Sequence, residues 1–295
     1  MEDSDSGFFA TQTIGIIGLG LIGGSYAKGL RRIGAGRIIA IDTDAAALRQ
    51  AKADGVIDEG YTAGCRALGM ADMLIFCTDT HAMIQFVRDN TLFFKSDVLL
   101  TDVAGIKGDT ARIIRSLLTD TMDFVPCHPM AGREGRGYGM AAAEIFYGAN
   151  YIIVPCRENK KQHIHTITSM ARKLGCAHVV SVTPEEHDRF IAYTSSLPHV
   201  LATALVNSEA MNPAVKFFVA GSFRDGTRVA DINAPLWTQL FLANKENLLY
   251  EIDRFTTSLQ EFTSLLETED RPGMTHFLQQ AAKRRRELVH ETNSR

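Results

Sequence analysis

The chain has 295 residues, with 45% apolar side chains, 22% charged side chains and a net charge of −3. This composition is typical of a globular protein with a sizeable core, and it excludes an intrinsically disordered chain. The slightly acidic balance argues against a nucleic-acid partner. No apolar run reaches the roughly 18 residues that a membrane span requires, so we expect no membrane association.

The amino terminus and the cysteines predict a cytoplasmic protein. The first residues are acidic and do not show the positively charged start of a secretory signal. The five cysteines are odd in number, widely spaced and never arranged as C-x-x-C. This pattern indicates reduced thiols rather than a disulfide framework or a zinc site, and we expect no bound metal.

The first part of the chain alternates short β-branched runs with helical patterns. Strands are predicted at 13–17, 37–41, 73–76, 97–101, 123–125, 151–154 and 178–182, and helices between them include 21–33, 44–53 and 160–174. Nearly continuous apolar strands separated by helices are typical of a parallel sheet covered on both faces. The pattern therefore predicts an α/β domain over 8–182, with a doubly wound, mostly parallel sheet of the Rossmann type.

The strand patterns stop after Val182, and the rest of the chain is predicted to be helical. Thr183-Pro184-Glu185-Glu186 is typical of a helix start, with Thr as the N-cap, Pro in the first turn and Glu three residues after the cap. We therefore expect an all-α C-terminal domain over 183–295. Pro198 lies inside one of its helices and should bend it, because proline has no backbone N–H to donate.

A single helix predicted over 235–268 has an apolar seam whose members follow each other in steps of four and three residues. The seam consists of Leu248, Ile252, Phe255, Leu259, Phe262 and Leu266. Such a seam either packs against the core of its own chain or forms a helix-to-helix interface between two chains. Both interpretations stay open from the pattern, and the second predicts a homodimer through the helical domain.

A glycine-rich turn follows the first predicted strand and opens a helix. Its residues are Gly18, Leu19, Gly20, Leu21, Ile22 and Gly23. In this context, the first glycine permits a tight turn, the second lets the backbone approach a pyrophosphate, and the third allows close helix–strand packing. A phosphate would lie at the helix N-terminus. The turn therefore predicts a dinucleotide cofactor.

Asp42 ends the second predicted strand, where a carboxylate can accept hydrogen bonds from the ribose hydroxyls of a dinucleotide. The same carboxylate would repel a 2′-phosphate, and no arginine directly follows it. We therefore predict NAD rather than NADP as the cofactor.

His128 follows the strand at 123–125, within Cys127-His128-Pro129-Met130-Ala131-Gly132. Ligands of open α/β sheets bind at the carboxyl ends of the strands, so this histidine should lie in the ligand crevice. A neutral imidazole is well suited to take a proton from an alcohol while hydride leaves for a nicotinamide. A hydrogen-bonded structural histidine is the alternative that the residue pattern leaves open.

Several segments together resemble the prephenate dehydrogenase family over about residues 12–290. They are the glycine turn, T-D-V-A-G-I-K at 101–107, H-P-M-A-G-R-E at 128–134, E-H-D at 186–188, S-S-L-P-H at 195–199 and D-G-T-R at 225–228. The resemblance implies oxidative decarboxylation of prephenate to 4-hydroxyphenylpyruvate and CO2 in tyrosine biosynthesis, with NAD+ as the hydride acceptor.

The resemblance also implies roles for individual residues. His128 would accept the proton of the substrate hydroxyl, and Arg228 would pair with a substrate carboxylate. The residues implied at the substrate site are Ser195, His199, Arg228, Glu134, His187 and Trp237, with His187 as a supporting polar group. Cys77 and Thr78 would line the cofactor site.

Gly105 departs from the family pattern, because many members have a serine there whose hydroxyl contacts both the reacting alcohol and the catalytic histidine. Water, another side chain or Lys107 would have to supply that contact, or this chain works without it. Gly105 is also the feature that favours a catalytically silent NAD-binding dimer. The presence of His128, His199 and Arg228 argues against that alternative.

Two enzyme alternatives are close in chemistry. Arogenate dehydrogenase acts on a substrate with an amino group in place of the side-chain keto oxygen, and the residues do not separate it from prephenate dehydrogenase. A β-hydroxyacid dehydrogenase would usually have a catalytic lysine on the first long helix between the domains, where this chain has Ser195 and His199.

Overall fold

The computed structural model describes residues 8–133 and 135–290. Contacts divide the chain into two compact units, the first ending at Asp188 and the second beginning at Arg189. The predicted domain boundary at residue 183 lies just before the helix Pro184–Ile191, within which this division falls.

The first unit has nine strands and seven α-helices in its described part. The strands are β1 Thr13–Ile17, β2 Arg37–Ile41, β3 Glu59–Tyr61, β4 Met73–Phe76, β5 Leu99–Asp102, β6 Asp123–Val125, β7 Cys127–Pro129, β8 Asn150–Ile153 and β9 His178–Ser181. The helices are α1 Phe8–Thr11, α2 Leu21–Arg32, α3 Ala45–Ala53, α4 Thr80–Asn90, α5 Thr110–Leu117, α6 Lys161–Lys173 and α7 Pro184–Ile191. Helix α7 extends past the division between the units.

The main sheet has six parallel strands in the order β3-β2-β1-β4-β5-β6. Buried apolar residues cover both of its faces: Ile14 and Ile38 belong to one core cluster, and Ile17 and Ile39 belong to the other. The strand order reverses between β1 and β4, which makes their carboxyl ends the switch point where ligands of such sheets bind. The predicted doubly wound α/β fold is confirmed.

A second sheet differs from the prediction, which placed the later strands in one continuing series. Strands β7, β8 and β9 form a separate three-stranded sheet, with β7 antiparallel to β8 and β8 parallel to β9. Pro126, between β6 and β7, has no N–H to continue the ladder with β5, and the chain changes sheets there. The prediction also missed β3 and β7, because these short strands contain none of the β-branched residues that mark strands in a sequence.

The predicted start of α7 is confirmed by its capping hydrogen bonds. The backbone N–H of Thr183 donates to the Glu186 carboxylate over 3.0 Å, and the N–H of Glu186 donates to the Thr183 hydroxyl over 3.2 Å. This reciprocal pair satisfies two N–H groups that the first turn of a helix would otherwise leave unpaired.

In the described part of the second unit, all regular secondary structure is helical, which confirms the predicted all-α fold of this region. A π-helical turn, Ala192–Ser196, is followed by α8 Leu197–Val206, α9 Gly221–Thr227, α10 Ala234–Ala243, α11 Lys245–Glu267 and α12 Arg271–His290. Within the described ranges, none of the helices is both long and apolar enough to cross a membrane.

The single helix predicted over 235–268 is wrong, because the chain forms α10 and α11 there. Asn244 separates them, and its φ of −119° and ψ of 30° lie outside helical values. Asparagine competes with helical hydrogen bonding through its own side chain, which here accepts a hydrogen bond from the Asn247 amide over 2.8 Å. The apolar seam lies entirely on α11.

The seam on α11 is buried only at its beginning. Leu248 is 6% exposed, whereas Phe255, Leu259 and Leu266 are 37%, 54% and 58% exposed in the single chain. A core stripe of the same chain would be buried along its length. The seam therefore presents an apolar surface that packing within one chain does not cover.

Candidate active site

The glycine turn has the conformation and the close contacts that its sequence predicts. Gly18 has a φ of +90°, which disfavours any residue with a Cβ. A Cβ at Gly23 would lie 1.8 Å from the Gly18 carbonyl oxygen, so α2 approaches β1 more closely than any larger residue permits. These two glycines bring the N-terminus of α2 to the carboxyl end of β1.

The space in front of this helix N-terminus fits a dinucleotide. A Cβ built at Gly20, the N-cap of α2, meets no atom within 4 Å. A cavity of about 760 Å³ opens beside it and is lined by residues that include Gly18, Gly20, Asp42, Cys77 and Thr78. The first N–H groups of a helix lack intrahelical partners and bind phosphate readily. Five of the nine predicted cofactor residues, at the ends of β1, β2 and β4, therefore line one cavity, whereas Leu19, Leu21, Ile22 and Gly23 are not in its lining.

The Asp42 carboxylate is held in place by the backbone around this cavity. One of its oxygens accepts a hydrogen bond from the N–H of Leu19, and the other accepts one from the N–H of Asp44 over 2.8 Å. A carboxylate oxygen has two lone-pair positions, so both oxygens can still accept a ribose hydroxyl. Leu19 itself is fully buried, whereas Leu21 and Ile22 are half-buried in the first turn of α2.

Backbone hydrogen bonds join the carboxyl ends of three neighbouring strands and lead to His128. The N–H of Cys77 donates to the carbonyl of Ile17 over 2.7 Å, and that of Val103 donates to the carbonyl of Phe76 over 3.2 Å. The Asp102 carboxylate, at the end of β5, accepts the N–H of Cys127 over 2.9 Å. The backbone just before His128 is therefore fixed to the ligand-binding edge of the main sheet.

A buried ion pair stabilises the same connection. The Lys107 ammonium lies 2.8 Å from the Asp102 carboxylate and also donates to the carbonyl of Cys127. The side chains of Lys107 and Asp102 are each 1% exposed. Because its ammonium is buried between these groups, Lys107 does not supply the substrate contact that a serine at position 105 would make. Its role is to hold the backbone beside His128.

His128 lies at one end of a hydrogen-bonded row of side chains. Its Nδ1 is 3.0 Å from Nε2 of His187, and Nδ1 of His187 is 2.7 Å from the Asp188 carboxylate. Asp188 also accepts the backbone N–H groups of Lys107 and Gly108, over 2.8 and 2.6 Å. His187 and Asp188 are buried, whereas His128 is only partly buried. The row therefore runs from a buried carboxylate to a histidine that solvent can reach.

The surroundings of His128 keep its ring neutral. Burial, the Lys107 ammonium and the neighbouring His187 lower its pKa well below the ordinary value of 6.5. Burial acts to raise the pKa of Asp188, but hydrogen bonds from His187 and from two backbone N–H groups outweigh it and lower that pKa. At neutral pH, the imidazole of His128 at one end of the row is therefore neutral, and the carboxylate of Asp188 at the other end is ionised.

The second unit brings three of the predicted substrate residues together. The ring of His199 stacks on Trp237 with centroids 3.6 Å apart, and Nδ1 of His199 donates to the Ser195 carbonyl over 2.8 Å. Pro198 lies in the first turn of α8, directly after the π-helical turn. A π-turn accommodates a residue that has no N–H to donate. The Ser195 carbonyl, at the end of this irregular turn, orients the ring of His199.

Arg228 is exposed at the start of a short helical turn, Arg228–Ala230, that packs against α8. The predicted Glu134 lies outside the described residues. His187, predicted as a supporting group, is in the first unit next to His128.

The sequence interpretation assigned no role to Asp188, although the adjacent His187 and Asp188 were a visible sign of a carboxylate beside a histidine.

Comparison with known proteins agrees with this geometry. The prephenate dehydrogenase nucleotide-binding domain matches residues 26–181, and the prephenate dehydrogenase dimerization domain matches 183–280. The Bacillus subtilis prephenate dehydrogenase is 32% identical over 91% of this chain and 74% of that protein.

Two solved structures are similar over nearly the whole chain. The Aquifex aeolicus prephenate dehydrogenase has a TM-score of 0.86 and 28% identity, covering 94% of this chain and 98% of that one. The Synechocystis arogenate dehydrogenase has a TM-score of 0.82 and 25% identity, covering 94% and 99%. The matched domains, the relative above 30% identity and the dinucleotide cavity lead to one conclusion: the chain belongs to the prephenate dehydrogenase family.

Proposed function

We propose that this protein catalyses the NAD-dependent oxidative decarboxylation of prephenate to 4-hydroxyphenylpyruvate and CO2 in tyrosine biosynthesis. The observation that carries the proposal is the position of His128. Its backbone is fixed to the carboxyl edge of a dinucleotide-binding sheet, and its Nδ1 faces His187. Nε2 of the neutral ring is thereby the atom that can accept a proton from a substrate alcohol.

The residues of the first unit divide the chemistry between them. Gly20 and the N-terminus of α2 would hold the pyrophosphate of NAD, and Asp42 would hold a ribose. The bound nicotinamide supplies a hydride acceptor. Nε2 of His128 takes the proton of the substrate hydroxyl as hydride leaves the ring carbon that bears this hydroxyl. Loss of CO2 then makes the substrate ring aromatic. Aromatisation makes the reaction effectively irreversible.

The choice of NAD over NADP is supported by the charge around the cofactor cavity. Asp42 lies in its lining, and among the described residues that line it there is no arginine or lysine. A 2′-phosphate would meet a carboxylate without a compensating cation, and such like-charge contacts cost several kcal/mol. The similar Aquifex aeolicus structure is a complex with hydroxyphenyl propionate and NAD+.

We expect kcat/KM to be roughly 100-fold higher with NAD+ than with NADP+, and Asp42→Ser to remove most of this preference. Steady-state rates with NAD+ and with NADP+ measure this preference in the unmodified protein and in the variant. Asp44→Ser is the matched control, because Asp44 caps α3 through two backbone N–H groups and serine caps equally well. Better use of NADP+ by the unmodified protein would contradict the role of Asp42.

The direct test of the reaction is to add prephenate and NAD+ and to measure NADH and CO2 together. We expect equal amounts of both. Arogenate is tested in parallel, because the similarity to the Synechocystis arogenate dehydrogenase favours it as a second candidate. Turnover of arogenate alone would replace prephenate with arogenate as the substrate. Release of neither product would reject both candidates and favour a silent NAD-binding protein.

Contacts of the substrate with Ser195, His199, Arg228, Trp237 and His187 stay predictions. Within the second unit, the stacked His199–Trp237 pair supports two of them, since the Nδ1 hydrogen bond leaves Nε2 of His199 as an acceptor. We also propose a cytoplasmic location, supported by five cysteines that are all free thiols.

We propose further that the protein is a homodimer in which the seam on α11 forms part of the interface. Leu259 and Leu266 support this, because both are more than half exposed in the single chain. Water contact with such a continuous apolar seam is unfavourable, and a second copy of the helix would remove it.

Light scattering should give about twice the chain mass of 32.4 kDa. Leu259→Lys should shift the mass to that of one chain, because it places a charge in the apolar seam. Gln260→Lys adds the same charge at a neighbouring exposed position outside the seam and should leave the dimer intact. A monomeric unmodified protein at micromolar concentration would exclude the interface.

A further inference from the structure

The row from Asp188 to His128 determines which ring nitrogens hold protons. An ionised carboxylate only accepts hydrogen bonds, so the His187 nitrogen 2.7 Å from it, Nδ1, must carry a hydrogen. When Nδ1 holds the only ring hydrogen of His187, the lone pair of this ring is on Nε2. The contact of 3.0 Å between this atom and His128 requires the hydrogen to be on Nδ1 of His128. The lone pair of His128 is therefore on Nε2.

The opposite arrangement is excluded by repulsion. If Nδ1 of His187 carried the lone pair, it would face the lone pairs of the Asp188 carboxylate at 2.7 Å. Asp188 cannot turn away without losing the backbone N–H groups of Lys107 and Gly108, which hold both of its oxygens. The backbone hydrogen bonds from Lys107 and Gly108 to Asp188 thus set the direction of both hydrogen bonds in the row.

We propose that His187 and Asp188 are positioning residues for His128, whose lone pair they keep on Nε2. During the reaction, His187 takes up a proton from His128, and the Asp188 carboxylate stabilises the resulting positive charge. The inference rests on the proposed function of His128 as the base, and it adds how that base is kept ready.

The proton transfer is balanced along this row. The O–H bond of the substrate breaks as Nε2 of His128 gains its proton. The N–H bond at Nδ1 of His128 then breaks, and Nε2 of His187 gains that proton. One positive charge has moved onto His187, whose Nδ1 nitrogen lies 2.7 Å from an oxygen of the Asp188 carboxylate. An imidazolium on His128 would instead face the Lys107 ammonium, which disfavours positive charge there.

Two variants separate positioning from proton uptake. In Asp188→Asn, the amide can donate to Nδ1 of His187, which would move the hydrogen to Nε2 of His187 and place the hydrogen of His128 on its own Nε2. The base would then lack its lone pair. In His187→Gln, the amide oxygen can still accept from Nδ1 of His128, so the tautomer is retained, but an amide does not take up the proton.

The first measurement is the tautomer itself, read by NMR on the full chain labelled with 15N-histidine, without substrate. The His128 signals are identified by their loss in His128→Asn. We expect hydrogen on Nδ1 in the unmodified protein and in His187→Gln, and hydrogen on Nε2 in Asp188→Asn. Hydrogen on Nε2 of His128 in the unmodified protein would overturn the proposal.

The second measurement is turnover, with KM and NAD+ affinity determined separately. We expect kcat to fall on the order of 10³-fold or more in Asp188→Asn, since a wrong tautomer removes the base, and roughly 10-fold in His187→Gln. KM and NAD+ affinity should change little. If Asp188→Asn fails to fold, the proposal is tested by the tautomer of the unmodified protein and by the kcat of His187→Gln. An unchanged kcat in His187→Gln would overturn the proton-uptake step.

His163→Gln is the matched control, because His163 also contacts a buried carboxylate, that of Asp123 over 2.9 Å, but on α6 and away from His128. It should leave both the tautomer and kcat unchanged. The two proposals fail separately: an absence of NADH on adding prephenate would reject the proposed reaction, whereas the tautomer is measured without any substrate.

Discussion

His128→Asn should lower kcat by roughly 10²–10⁴-fold, the range that general bases contribute. The asparagine amide nitrogen can take the place of Nδ1 and still donate to His187, so the fold and the row behind it should be kept. What it lacks is the lone pair at Nε2. The affinity for NAD+ should therefore stay near that of the unmodified protein.

Stopped assays of NADH formation at saturating prephenate measure the fall in kcat that we expect for His128→Asn. The unmodified protein should lose kcat/KM only below pH 6.5, because burial, Lys107 and His187 lower the pKa of His128 and a base must be neutral to act. The acidic limb set by His128 should be absent from the residual activity of the variant. His165→Asn, at an exposed position of α6, is the control. Unchanged turnover in His128→Asn would end the assignment of this residue as the base.

Gly23→Ala should abolish measurable NAD+ binding at concentrations at which the unmodified protein is saturated. Its Cβ would lie 1.8 Å from the Gly18 carbonyl oxygen and 3.1 Å from Cβ of Cys77. The first of these atoms is backbone in a tight turn and cannot move aside as a flexible side chain would. The turn and the start of α2 must separate, at a cost of about 1–3 kcal/mol or more in stability. Calorimetric titration with NAD+ and thermal unfolding measure both effects.

Two glycines provide controls for this prediction. Gly20→Ala should weaken NAD+ binding without lowering the stability of the free protein, because its Cβ meets no atom within 4 Å and would enter the space that we propose for the pyrophosphate. Gly139→Ala, which also has open space around its Cβ, should change neither. Normal stability and normal NAD+ affinity in Gly23→Ala would show that neither folding nor NAD+ binding requires the close contact between Gly23 and Gly18.

Local chemistry was enough to predict much of the first unit. The apolar runs of β1, β2 and β4, the capping pair of Thr183 and Glu186, and the glycine turn each depend on residues within a few positions of one another. The same holds for the cofactor cavity, because Asp42 and the glycine turn follow neighbouring parallel strands whose carboxyl ends meet.

Where the predictions failed, the outcome depended on pairing or packing. Strand β7 contains no β-branched residue that would mark it as a strand, and its partner β8 is chosen by packing rather than by pattern. The break at Asn244 lies inside an apolar pattern that continues through it, so periodicity alone favoured one long helix. The seam on α11 was visible in the chain, but only its exposure distinguished an uncovered surface from a core stripe.

By itself, the amino-acid sequence determined the fold class and the position of the dinucleotide cavity, and it singled out His128 as the proposed base, because each follows from short-range patterns of glycine, apolar residues and one histidine. Only the tertiary structure decided how this proposed base is held. His128 and His187 are 59 residues apart, and Lys107 and Asp188 are 81 apart. Hydrogen bonds between such distant residues leave no periodic trace in the chain, because their partners meet only after the strands and helices between them have packed.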